Sequence, residues 1–438
     1  MTTGMDARHA KPAAGMSDPP VTGRPYIPVV VDQHVDDLAD AWNVRQVLLL
    51  SARCDLTALA RCDDRVAANL EGCALAGDAA RRRCLDQLQA GTAAAVFAAA
   101  SVAVAGGDRA MLGTCLEKAG AVAGGFAGLS GAMAWASRQH LAGLVRDMLG
   151  AADATSRALG LAACRAHGAD PGPRLAGALA DDSPRVRVEA LRAAAELGYR
   201  HLVAACVAGV GDADQAASAW AVRSAVLLGD RSVALDAIGG RQSWHVDGGN
   251  GFRLAVQAMP MDRAHHLLTG LAGDPGSARL LIEGSGIVGD PGYVPWLIGQ
   301  MGEPRHARAA GDAFSLVTGV DVDAPDLRAA PPDGFESGPT DDPDGPDLDM
   351  DPDEALPWPD AGRVAQWWAG NASRFHKGQR YFAGAPVTRA HCIDLLEHGY
   401  QRQRVLAAHY LCLLDPGTPL FNTSAPAWRQ RRLLAQMR

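Results

Sequence analysis

Apolar and small residues recur at helical spacing through most of this chain, and the helices they predict return at a fixed interval. The clearest stretch runs from Asp182 to Gly198, DSPRVRVEALRAAAELG. It offers an Asp able to cap a helix, small residues along one side and a closing Gly. Counting outward from that Gly gives Gly107, Ser137, Gly168, Gly198, Gly229, Met259, Gly289 and Gly319, at intervals of 30 or 31 residues. A constant period of this size is the signature of stacked structural repeats.

The columns of the repeat support this. Numbering the eighteen residues that end at each marker, position fourteen is Cys164, Ala194, Ala225, Ala255, Ser285 and Ser315, always small. Position ten is Gly160, Ala190, Ala221, Gly251, Leu281 and Gly311, small in five of six. Four residues apart is one helix face, so each repeat presents a flat stripe on which a neighbouring helix can press. Position eleven is large and apolar (Leu161, Leu191, Val222, Phe252, Ile282) until Asp312 breaks it. Asp153, Asp182, Asp214 and Asp274 fall where an acidic oxygen can cap the first turn. Shorter apolar segments between markers, such as Leu202 to Val210, His265 to Leu271 and Val294 to Met301, predict partner helices.

Two antiparallel helices every thirty residues, with the cadence Asp182, Val186, Arg187, Ala190, resemble HEAT repeats. The expected fold is all-α: a HEAT-like α-solenoid of helical hairpins with a small α-rich C-terminal module. Around it the chain divides into a flexible N-terminus (1–30), an N-terminal helical cap (31–90), the repeats (91–320), an acidic disordered linker (321–355) and the C-terminal module (356–438). Tyr26 to Val31 reads as a short extended piece, and helices are expected from Val35 to Leu50 and from Asp55 to Leu75. The linker assignment rests on thirteen acidic residues between Asp321 and Glu354, with one Arg and many Pro and Gly.

Two runs resemble an uncharacterised proteobacterial family of HEAT-repeat-like proteins often encoded among type VI secretion genes. The first is Asp63, Asp64, Arg65, Val66, Ala68, Asn69, Leu70, Glu71, Gly72, Ala76, Gly77. The second begins with Asn371, Arg374, Phe375, Gly378, Arg380, Tyr381, Gly384, Pro386, Val387 and Thr388. It continues through Gly399, Tyr400, Gln401, Arg402, Gln403 and Arg404 to Pro419, Leu420, Phe421, Ala425, Pro426, Trp428 and Gln430. The resemblance implies a binding protein rather than a defined activity, with a type VI secretion component or effector as the expected partner.

Composition narrows the classes. Hydrophobic residues make up 48 % of the 438, enough to build a large core, while aromatics are only 5 %. A net charge of −8 argues against a long nucleic-acid groove. No apolar run reaches the eighteen or so residues that span a bilayer. The nine cysteines lack a CxxC pair and read as buried reduced thiols. A cytoplasmic protein without nucleic-acid or membrane partners is expected.

Candidate chemistry is sparse. There is no P-loop, dinucleotide fingerprint, nucleophile elbow or HExxH motif. His265 and His266 are adjacent and diverge on a helix, and His391 and His398 lack further ligands at zinc spacing. The alternating acids of DLDMDPDE lack the Gly and Glu of a calcium loop. The Gly cluster at 248–251, beside Trp244 and His245, reads as a bend in the repeat stack. No catalytic residue, metal site or cofactor is expected.

Two sets of residues remain as candidate partner-binding positions. Arginines occupy position twelve (Arg192, Arg223, Arg253) and position seven (Arg157, Arg187, Arg308). They either pair with loop aspartates of adjacent repeats, form a cationic inner stripe for an acidic partner, or receive the acidic segment of this same chain. The second set is Trp367, Trp368, Arg374, Arg380, Tyr381, Arg402, Arg404 and Trp428, rich in the residue types that dominate interfaces. It reads either as the cap of the open end of the array or as a docking site. The expected function is a non-enzymatic scaffold or adaptor. The alternatives are a HEAT-like enzyme, resembling DNA glycosylases or chromophore lyases of that architecture, or a small-ligand binder.

Overall fold

A computed structural model describes residues 26–238, 249–335, 338 and 351–438. The chain is all-α. Among the described residues the strands are confined to one short antiparallel hairpin, Tyr381–Phe382 with Ala385–Pro386.

The period seen in the sequence is a period of helix endings. Gly107, Gly168, Gly198, Gly229, Gly289 and Gly319 all have positive φ, between +60° and +109°. This is the left-handed conformation that ends a helix and that glycine adopts without strain. Four of these ends close with the long Schellman bond. The amides of Asp108, Ala169, Tyr199 and Asp230 reach back to the carbonyls of Ala103, Cys164, Ala194 and Ala225 at 2.8–2.9 Å. The repeat helices then pack in chain order: Ala93–Ala105, Gly125–Trp135, Ala154–His167, Pro184–Glu196, Gln215–Leu227, Asn250–Ala258, Ala278–Val288 and Pro304–Thr318. Their small column is buried, with Ala194, Ala225, Ala255 and Ser285 all at 0 % exposure, which allows the close approach. The large column fills the gaps, and Leu161, Leu191, Val222, Phe252 and Ile282 are all buried.

Asp153 and Asp214 cap their helices as expected, accepting from the amides of Ser156 and Ala217 at 2.7 and 2.9 Å. Two other expected caps are corrected. The helix after Asp182 starts with Ser183 and Pro184, and Asp182 instead gives its carbonyl to Arg187 at 3.1 Å. Asp274 holds the short turn Pro275–Ser277, not a helix start. Of Tyr26–Val31, Ile27 is extended but Pro28–Val31 is not: a helix begins at Pro28, whose missing N–H costs nothing at the first helical position, and runs to Leu50. The following helix Leu56–Ala76, capped by Asp55, continues through Gly72, where the ring of His34 fills the space a side chain would need.

The acidic segment is also not wholly solvated. Val322 and Leu327 are buried, Asp353 is 3 % exposed, and Arg279 grips Asp353 through two 2.7 Å bonds. Arg308 pairs with Asp351. The few apolar residues and the arginines of the last repeats are what hold these acids down. The middle of the segment, like Trp244, His245 and Gly248, lies outside the described residues.

The C-terminal residues do not form a core of their own. Helix Ala361–Asn371 packs on the last repeat, with Trp367 edge-on to Phe314. From Tyr381 the chain turns back and runs across the repeats towards the N-terminus. Tyr381 donates its amide to Gly289 O (2.8 Å), Ala383 to Leu316 O (2.6 Å) and Leu420 to Glu196 O (3.0 Å). Helix Gln401–Leu414 lies against helices Gln215–Leu227 and Asn250–Ala258, and Gln257 and His409 join across that contact at 3.0 Å. Finally Arg45 and Asp63, an ion pair of 2.6 Å under 8 % exposed on both sides, seize the end of the chain. Arg45 donates to the carbonyls of Ser424 and Ala425, and Asp63 accepts from the amide of Ala427. We call residues 381–438 the strap.

Candidate ligand cavity between the repeats and the strap

The two arginine rows sit in different surroundings. Position-seven arginines lie along the loops. Arg157 grips Asp181 with bonds of 2.9 and 3.0 Å, and Arg187 grips Asp212 with two of 2.7 Å, each reaching the next repeat. Side-chain hydrogen bonds from these arginines hold both aspartates below the usual carboxylate range. Arg308 takes the acidic segment instead.

Position twelve faces inward. Arg192 and Arg223 both lie over the Trp220 ring, their guanidinium carbons 4.5 and 4.4 Å from its centroid. Arg253 pairs with Glu283 at 2.9 Å. Beside Arg192 stand Glu189, 3 % exposed, and Glu196, which it shares with Arg165 of the preceding repeat helix. Arg165 donates to Glu196 at 3.0 Å and to Glu189 at 3.3 Å. Burial opposes the charge on Glu196, but Arg165 and Arg192 outweigh it and hold the carboxyl below its ordinary range. The same two carboxylates push Arg165 strongly upward against its own burial, so the network stays ionised.

This network forms one wall of a cavity of about 450 Å³. That lies within the range of small-molecule pockets. Aromatic side chains line the cavity as well: Trp42 stacked on Phe97 at 5.3 Å, with Phe126 and Trp135. The strap completes the lining, with Val405, Ala408 and His409 from its helix and residues 420–424 and 426 from its last loop. Burial, with Arg223 nearby, pushes His409 down to about 3, so it faces the cavity neutral. Arg165 Nε and Ser130 Oγ are buried without a hydrogen-bond partner, and Arg192 Nε lies 3.5 Å from Glu196 Oε1. Among the described residues no cluster of three metal-ligating side chains occurs.

Of the expected partner-binding residues, Arg192 and Arg223 therefore line the cavity, and Arg253 does not. The C-terminal set is largely structural. Arg404, at 0 % exposure, donates to Leu396 O, Gln401 and Gln430, so its assignment to a docking surface is corrected: three acceptors inside the strap require it there. Arg380 clamps the carbonyls of Val256 and Met259, Arg402 pairs with Asp312, and Tyr381 is buried against Phe375. Trp367 and Trp368 are half-buried on the last repeat. Arg374 and Trp428 remain exposed.

The sequence reading missed Arg165, Glu189, Glu196, Trp42, Trp135, Ser130 and His409. One signal was available: Glu189 and Glu196 interrupt an Ala-rich helix on the side of Arg192, and Arg165 stands three residues after position twelve of its own repeat. Comparison of the chain with protein-family models, with curated proteins and with solved structures finds no match.

Proposed function

We propose that this chain is a non-enzymatic protein-binding scaffold or adaptor. The observation that carries the reading is Trp428, 51 % exposed on a helix that is itself locked in place. Its neighbours on that helix, Arg429 and Gln430, are buried and bond to Ala166 O and to the carbonyls of Thr423 and Ala425. The guanidinium carbons of Arg429 and Arg432 lie 5.1 and 5.6 Å from the Trp428 ring. A rigid, outward Trp bracketed by arginines is the composition of an interface hot spot, presented at little entropic cost. An enzyme acting on a flipped DNA base needs an open basic groove, and here the strap occupies the repeat face it runs across.

The resemblance to a family encoded with type VI secretion genes names the partner class: a secretion component or effector, met in the cytoplasm. The test is quantitative co-purification from the native cell with Trp428→Ala and Arg432→Glu. A secretion component captured by the unaltered chain and lost with these variants supports the reading. Undiminished capture removes the Trp428 face. Secretion, effector loading and effector stability all unchanged in a deletion strain remove the secretion role.

A further inference from the structure

We propose that the cavity beneath the strap binds a small aromatic anion, with the ring between Trp42, Phe126 and Trp135 and its acidic group on the Arg165–Arg192 wall. Nothing in this inference depends on the Trp428 face.

The argument starts from the donors. The cavity lining holds Arg45, Arg165, Arg192 and Arg223 against Glu189 and Glu196, a positive excess among the lining side chains. A lining with four guanidiniums and two carboxylates favours a ligand that brings negative charge and hydrogen-bond acceptors. Ser130 lines the same cavity. Bonds from a guanidinium are strongest to an ionised acceptor, and its planar fork matches a carboxylate or phosphate.

The body of the ligand follows from the aromatic lining. Trp42 and Phe97 are stacked with their planes 19° apart, and Phe126 and Trp135 extend the apolar surface. Such a surface recognises a flat ring by stacking and burial. Because residues 420–424 and 426 complete the cavity, bound ligand would also hold the strap down.

The experiment uses the full chain and 2-naphthoate as the probe, with 2-naphthalenemethanol as its neutral counterpart and 2-naphthyl phosphate as the alternative acid. Tryptophan fluorescence and calorimetry read affinity, and hydrogen exchange reads the strap. The expected result is that one or both acids bind at least about tenfold tighter than the alcohol, the worth of one charge-assisted bond. Whichever acid binds tighter identifies the headgroup. Amides of residues 420–426 gain protection on binding. Ser130→Ala, which removes only a hydroxyl, weakens binding about fivefold. Ala134→Leu narrows the cavity from a half-buried position and abolishes saturable binding while the ligand-free melting temperature stays unchanged. Equal affinity for acid and alcohol overturns the proposal, as does the absence of binding by both acids. Acid binding that survives Ala134→Leu without protecting the strap places the probe elsewhere and also overturns it.

Discussion

The first and last repeats end their helices in the same way, yet their closing glycines do different work. At Gly107 and Gly168 a Cβ built on the backbone meets nothing within 4 Å. At Gly198 and Gly289 it would run into the carbonyl oxygens of Gly417 and Tyr381, at Gly229 it would come within 3.0 Å of Pro416, and at Gly319 within 2.6 Å of the Ala383 carbonyl. The early glycines serve only the left-handed turn. The later ones also leave a bare backbone edge along which the strap is laid. The cores divide in a similar way: most buried apolar residues from Val31 to Ala163 pack on one another, with Leu56 and Ala60 joining the other core, whereas the middle repeats share one core with Phe382 to Leu434. One sequence period therefore covers two regions, one that meets the strap mainly at its first two helices and one completed by the strap along its length.

This contrast can be broken experimentally. The largest effect is expected from Arg404→Leu, which strands the side-chain acceptors of Gln401 and Gln430 and the carbonyl of Leu396. A loss of about 3–5 kcal/mol is expected in denaturant unfolding, because three buried acceptors are left unsatisfied at about 1–3 kcal/mol each, offset in part by the burial of charge that is relieved. Hydrogen exchange should rise across 401–430 while the helix Ala93–Ala105 keeps its protection. Equal loosening of both would mean that the regions are not separable.

Gly289→Ala comes next, at about 3 kcal/mol, because a strained φ of +71° and a blocked strap contact act together. Gly168→Ala, with φ +60° and open space, should lose only about 1 kcal/mol. Matching losses at the two sites would remove the distinction between covered and open ends.

Acid sharpens the comparison further. Burial pushes His409 of the strap down to about 3 and His167 of the early repeats down to about 4. Both folded values lie below the unfolded 6.5, so the unfolded chain takes up protons first as pH falls. Their contribution is complete above pH 6.5 and declines below it, by up to about 1.4 kcal/mol per pH unit for each histidine until its folded value is reached. Unfolding titrations of His409→Gln should show a shallower decline than the unaltered chain between pH 6 and about 4, and an unchanged slope would contradict its burial as a neutral ring. The smallest effect belongs to Arg157→Ala on the loop edge, where the partner side chains are 27 % and 13 % exposed. About 1 kcal/mol or less is expected, shrinking in high salt.

Much of the fold was legible. The thirty-residue period became helix ends at positive φ, the small and large columns became buried faces, and Gln401–Leu414 was read to the residue. Of the position-seven arginines, Arg157 and Arg187 meet loop aspartates and Arg308 meets the acidic segment, two of the readings their spacing allowed. What could not be read were contacts between distant backbone groups. Gly289 O, Leu316 O and Glu196 O receive strap amides, and a carbonyl leaves no trace in sequence identity. Arg404 was read as an interface residue because Trp, Tyr and Arg dominate interfaces, and arginine is rarely fully buried unless acceptors fold around it, as three do here. The cavity was hidden for the same reason. Its walls come from residues as far apart as Trp42, Arg165 and Phe421, and only the returning strap brings them together.

That return also governs when the molecule can finish folding. Arg45 and Asp63 meet Ala425 and Ala427 across sequence separations of 380 and 364 residues. Arg53, near the N-terminus, bonds Asp321 just past the last repeat and stacks on Tyr400, 4.6 Å from its ring centroid. An open repeat array can zip up piecewise during synthesis, each unit settling on its predecessor. Here the first two helices wait, with a half-built site, until residues 420–427 leave the ribosome. Contacts of such high order slow the last step and tie distant units into one cooperative transition. A nascent chain stalled before residue 400 is thus a chain without its latch.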